Sequence, residues 1–159
     1  GRRLGLARLE RVMENLKRDL TLGGTTLSGY LRDVKSVGSA TTLATADSGK
    51  LIFLESSGGA FTLTLPSVAG GYHYRCMVTE DTPTAAITIA AGSAIMFGNI
   101  SESEVDDGED APGSSAATGI SNIIIGTGTK KGMWVELYSD GTSWYFFGNV
   151  ANDGAITTS

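Results

Sequence analysis

Few residues in this chain have the types and spacing that chemistry requires. A single histidine, His73, stands between Tyr72 and Tyr74. An imidazole can act as a general base, but no motif places a serine or cysteine nucleophile beside this one, so it reads as structural or surface. Cys76 falls on the same side of an alternating segment as Tyr72 and Tyr74 and reads as a small buried hydrophobe. One cysteine forms no internal disulfide, and no Cys/His cluster has zinc spacing. The glycines fall in turns rather than between a strand and a helix, so no phosphate loop is expected. The run Glu102-Ser103-Glu104-Val105-Asp106-Asp107-Gly108-Glu109-Asp110 is the one candidate for calcium. It lacks the spacing of a calcium loop and the bidentate Glu, and reads better as a solvated loop. Glycoside hydrolysis needs two carboxylates across a cleft, whereas these acids bunch in one run. Trp134, Trp144 and Tyr145 are candidates for stacking on a sugar, although strand alternation directs some of them inward. The expectation is a protein with no catalytic residues, no cofactor and no resident metal.

What remains is binding, and the composition says what kind of scaffold would do it. Gly, Thr and Ser make up 56 of the 159 residues, yet 41% of the chain is hydrophobic. That is too apolar for a disordered tract and suits a β-rich domain with many turns. No apolar run reaches the roughly 18 residues of a membrane helix, and no signal-peptide pattern opens the chain, so no membrane partner is expected. The charge is divided. Residues 1–35 carry eight bases and four acids, and the other 124 carry four bases and thirteen acids. A basic arm on an acidic body implies two surfaces with different partners. The arm holds one aromatic, Tyr30, and acids interleave with its bases, so no nucleic-acid partner is expected.

Residues 1–22 read as a helix. Leu6, Leu9, Met13, Leu16 and Leu20 recur at spacings of 3, 4, 3 and 4, the seam of a coiled coil. Arg2, Arg3, Arg8, Arg11 and Arg18 supply a basic face, and Gly23-Gly24 ends the element. Such a short helix is marginal alone, so the seam must pack on its own domain, on other copies of the arm, or on a partner. Residues 23–49 read as an extended hinge and arm, broken at Gly23-Gly24-Thr25-Thr26 and Ser36-Val37-Gly38-Ser39, with a short strand possible near Thr41–Ala44.

Residues 50–159 read as a mainly β body of about eight short antiparallel strands, a β-sandwich or jelly roll. Leu51–Glu55, Phe61–Pro66, Tyr72–Thr79, Ala86–Ala90 and Ala94–Ile100 are short strand patterns. Ile123-Ile124-Ile125 reads as a strand buried on both faces. Met133–Tyr138 and Trp144–Val150 flank Ser139-Asp140-Gly141-Thr142-Ser143, a hairpin connection in which Asp-Gly supplies the positive φ. No exact internal repeat is present, which argues against a propeller or a solenoid.

Two blocks carry a family resemblance: Thr45-Ala46-Asp47-Ser48-Gly49-Lys50 followed by Phe61-Thr62-Leu63-Thr64-Leu65-Pro66, and Glu136-Leu137-Tyr138-Ser139-Asp140-Gly141-Thr142-Ser143-Trp144-Tyr145. From about Leu43 to Val150 the chain resembles the decoration, or cement, proteins on the heads of tailed bacteriophages, and also β modules of phage fibres. The Leu6–Leu20 helix with its Gly-Gly hinge is similar to phage head-protein arms. The resemblance implies a non-enzymatic virion component, often a trimer, that sits on the outer capsid surface and clamps neighbouring copies of the major capsid protein. The fibre resemblance implies a second role, recognition of a host-surface glycan. Neither resemblance fixes individual contact residues.

Overall fold

The structure is a computed structural model that describes residues 8–14, 32–81, 83–103 and 114–159. The chain divides into two units, Gly1–Leu31 and Arg32–Ser159. In the first, residues 8–14 form a helix whose every residue is exposed. Leu9 and Met13 lie one turn apart on it, as the heptad spacing requires, and Val12 joins them; these three are 49%, 62% and 56% exposed respectively. Of the expected helix, residues 1–7 and 15–22 lie outside the described residues.

The second unit is mainly β and contains two mixed sheets. In chain order its strands are β1 (Val34–Val37), β2 (Thr41–Thr42), β3 (Leu51–Leu54), β4 (Phe61–Thr64), β5 (Gly70–Val78), β6 (Ile87–Ala90), β7 (Met96–Glu102), β8 (Ser114–Ile120), β9 (Asn122–Ile125), β10 (Trp134–Asp140), β11 (Trp144–Val150) and β12 (Ile156–Thr158). One sheet has the order β1-β3-β5-β10-β11-β7-β8 and the other β12-β9-β6-β4-β2. Where about eight antiparallel strands were expected in residues 50–159, ten are described there, β3 to β12, and they are not all antiparallel. Half of the pairings in the two sheets are parallel: β1 with β3, β3 with β5, β2 with β4, β4 with β6, and β7 with β11.

The parallel pairings have a simple origin. From β1 to β6 the chain passes alternately from one sheet to the other, and each strand lies beside the one two positions earlier. The chain thus coils between the two sheets from β1 to β6, although the sequence carries no repeat. The coils differ in length: Val34 faces Leu51, 17 residues on, and Leu51 faces Arg75, 24 further. A winding with unequal coils leaves no period in the sequence. The same topology moves the start of the body forward. Residues 23–49 were expected to be an extended hinge and arm with a short strand near Thr41–Ala44; in the described part of that stretch, β2 falls on the expected strand, and both β1 and β2 are edge strands of the two sheets. Backbone bonds tie them in, from Leu51 N–H to the Asp33 carbonyl and from Leu43 N–H to the Thr64 carbonyl.

Alternation divides each sheet into an inner and an outer face. Ile52, Leu54, Tyr74, Cys76, Val135, Leu137, Trp144 and Phe146 from the seven-stranded sheet join Leu63, Ile87, Ile89, Ile123, Ile125 and Ile156 from the other in one buried cluster. Burying each such side chain is worth about 1.5–3 kcal/mol. Ile124, expected to be buried as well, is only half-buried on the outer face of the five-stranded sheet. There it continues a row formed by Thr62, Thr88 and Thr157.

Candidate interaction face

The seven-stranded sheet differs from its neighbour in what its outer face presents. The five-stranded sheet shows solvent a mostly polar surface, with Thr42 and Thr64 in a second row beside Ala90 and Asn122. An antiparallel or mixed sheet with one wet face is expected to look like that. On the seven-stranded sheet, one outer row runs His73, Tyr138, Tyr145, Phe97. The next runs Val34, Leu51, Arg75, Glu136, Phe147, Asn99. The third runs Ser36, Phe53, Met77, Trp134, Asn149, Ser101. Six of the twelve aromatic residues of the chain therefore lie on this one face. Tyr138, Tyr145 and Phe147 are 40%, 41% and 53% exposed.

The hairpin β10–β11 builds the centre of this face. Gly141 turns the chain with φ 103°, a region closed to most side chains. Asp140 Oδ1 accepts the backbone N–H groups of Thr142 and Ser143, both at 2.8 Å, and the Thr142 hydroxyl at 2.9 Å. These hydrogen bonds hold the Asp140 carboxyl below the usual carboxylate range. The Tyr145 hydroxyl donates to Asp140 Oδ2 at 2.9 Å, which fixes the ring that follows the turn.

Polar groups on the same face are paired with each other and with the rings. His73 Nε2 hydrogen-bonds Glu136 Oε1 at 2.7 Å, and its ring stacks on Tyr138 with centroids 4.7 Å apart. Partial burial would raise the Glu136 pKa, but hydrogen bonds from His73 and Tyr138 and the charge of Arg75 together lower it. The Arg75 guanidinium lies over the Trp134 ring at 4.5 Å. The arrangement offers flat rings, carboxylates and amides to a bound molecule.

Most of the residues singled out in the sequence do not meet here. Arg8, Leu9, Arg11 and Met13 are on the exposed helix, whereas Arg2, Arg3, Leu6, Leu16, Arg18 and Leu20 lie outside the described residues. Trp144 is fully buried, stacked on Tyr72 at 5.9 Å, so the trio Trp134, Trp144 and Tyr145 does not share a surface. Cys76 is buried in the core, which pushes its thiol up to about 12. Of the acidic run, Glu102 ends β7 and is buried, and residues 104–110 lie outside the described residues. No group of three or more His, Cys, Asp or Glu among the described residues could hold a metal. No helix among them is long and apolar enough to cross a membrane. Phe53, Phe97, Tyr138 and Phe147 were missed as surface residues. The adjacent pair Phe146-Phe147 was the available signal, since a strand must send one ring inward and the other out.

No family model matches the chain, and no curated protein matches it either.

Proposed function

We propose that this chain is a structural virion protein of a tailed bacteriophage, a decoration protein that binds the outer surface of the head. It holds neighbouring copies of the major capsid protein and attaches through its N-terminal helix, as a homotrimer. We read the two sheets as the layers of a β-sandwich that carries this helix. The observation that supports the reading most directly is the helix at residues 8–14, where Leu9, Val12 and Met13 are all about half exposed or more. Each leaves about half of the roughly 1.5–3 kcal/mol of a full burial unrealised, and a contiguous apolar stripe of this kind marks a surface that associates. Arg8 and Arg11 beside it would suit an acidic shell. The blocks that resemble decoration proteins fall on Thr45–Lys50, on β4 and on the β10–β11 hairpin. Several copies of such a helix in one oligomer would multiply a weak contact into a firm one.

The test is co-sedimentation of the full chain with heads of the phage that encodes it. The double variant Leu9→Asp/Met13→Asp is expected to keep the melting temperature of the parent and lose about 2 kcal/mol or more of binding, roughly a thirtyfold or greater fall in affinity. Unchanged binding by the variant would remove the helix from the mechanism. Failure of the parent chain to sediment with heads would remove the decoration reading itself.

A further inference from the structure

On the outer side of β10, Glu136, Tyr138 and Asp140 place a ring between two carboxylates, and Tyr145 of β11 stands opposite Tyr138. The two tyrosines are 40% and 41% exposed. Their ring contacts run away from each other. Tyr138 stacks on His73 with centroids 4.7 Å apart, and Tyr145 packs towards Phe97 at 6.3 Å. The space above the β10–β11 pairing is thus bounded by two rings, with a carboxylate at either end. We propose that this space takes an arginine side chain from an exposed basic segment of another protein. The proposal stands apart from the decoration reading.

The same face already holds one guanidinium in this manner. Arg75 lies over the Trp134 ring at 4.5 Å, and its charge acts on Glu136, its partner across the sheet. The Tyr138–Tyr145 pair repeats the ring and the carboxylate, and among the described residues no guanidinium lies over either tyrosine. Arg32, at the edge of the sheet before β1, acts on Tyr138 by charge alone. A guanidinium suits such a place better than an ammonium, because its plane stacks on a ring while its edge bonds a carboxylate. Both carboxyls are held ionised: Asp140 by the hydrogen bonds of its turn, and Glu136, despite the burial that would raise it, by His73, Tyr138 and Arg75. The rings are fixed in advance, since the Tyr145 hydroxyl is tied to Asp140 and Tyr138 is stacked, so little freedom is lost on binding. Charge selects the partner. Residues 32–159 carry fourteen acids against six bases, which draws a basic segment and repels an acidic one, a second such body included.

The test uses the full chain and the peptide acetyl-Gly-Arg-Gly-Arg-Gly-amide, with counterparts that carry lysine or citrulline in place of arginine. Titration calorimetry at low salt should show the arginine peptide binding with a Kd of about 1 mM or tighter. Citrulline keeps the shape and loses the charge, and should abolish binding, while lysine should weaken it about threefold. Tyr138→Leu and Tyr145→Leu keep apolar bulk without a ring, and should each weaken binding about tenfold with the melting temperature little changed. Thr62→Ala on the other sheet should bind like the parent. The proposal is overturned if the arginine peptide fails to bind at about 10 mM, if the citrulline or lysine peptide binds as tightly, or if both leucine variants bind like the parent. It is equally overturned if sedimentation shows the free chain associating with itself through a contact that Tyr138→Leu dissolves, because the occupant would then be a second copy.

Discussion

Asp47 is the carboxylate on which the first coil closes. It sits in the 3-10 turn Thr45–Asp47, almost wholly buried, and takes the Lys35 ammonium, the Lys50 ammonium at 3.0 Å and the Ala44 N–H at 3.0 Å. Burial alone would raise its pKa, but these three donors reverse that and hold it at about 2. A carboxyl lowered on folding stabilises the fold above its ordinary pKa and loses that contribution as pH falls through the folded value. The contribution is therefore complete above about pH 4, is lost between about pH 4 and 2, and amounts to about 2 kcal/mol. Asp47→Asn should lower stability by that amount at pH 7 and flatten the acid limb of a urea-melt series against pH. Glu102 behaves in the opposite sense. Burial first, and then neighbouring Asp153, raise its pKa, although the Gly154 N–H works against this. A carboxyl raised on folding destabilises the fold once pH exceeds its ordinary value. Glu102→Gln should therefore raise the melting temperature at pH 7 and leave it unchanged near pH 3, as differential scanning calorimetry would show.

At the scale of elements, the parallel contact between β7 and β11 depends on one residue without a side chain. A Cβ on Gly98 would stand 1.9 Å from the Phe146 carbonyl oxygen and 2.8 Å from its carbon. Backbone atoms cannot swing aside, so Gly98→Ala should cost about 3 kcal/mol or more. The loss should register as faster hydrogen exchange across β7 and β11. How legible each element was follows from its chemistry. The β10–β11 hairpin announced itself through Asp140-Gly141 and clean alternation on both arms. By contrast, β8 is built from Ser, Ala, Thr, Gly and one Ile, a composition with no apolar period. Strand β12 has three residues, too few for a pattern to emerge, and β1 runs into Ser36-Val37-Gly38-Ser39, which reads as a break. Their membership in a sheet is set by distant partners. The outer face was half legible for the same reason. Alternation places Trp134, Glu136 and Tyr138 together, but only pairing across the sheet brings Phe53, Phe97 and Phe147 alongside them. Trp144 opens β11 opposite Ser139, and that register sends it into the core.

At the scale of the whole chain, the surfaces described in each unit differ in a way the composition conceals. One sheet faces outward with threonine, the other with rings, and a separate helix exposes apolar side chains beside arginines. The net charge of −5 is the sum of an acidic body and a basic N-terminal stretch. On the decoration reading proposed above, the chain is a ligand that binds only the assembled lattice, and such a ligand must stabilise that lattice. The most direct test is the temperature at which phage heads release their DNA, measured on heads stripped of this protein and again after the purified chain is added back. On the proposed reading, stripped heads open at a lower temperature, and adding the full chain restores the higher one while Leu9→Asp/Met13→Asp does not. Heads that open at the same temperature with and without the protein would contradict it.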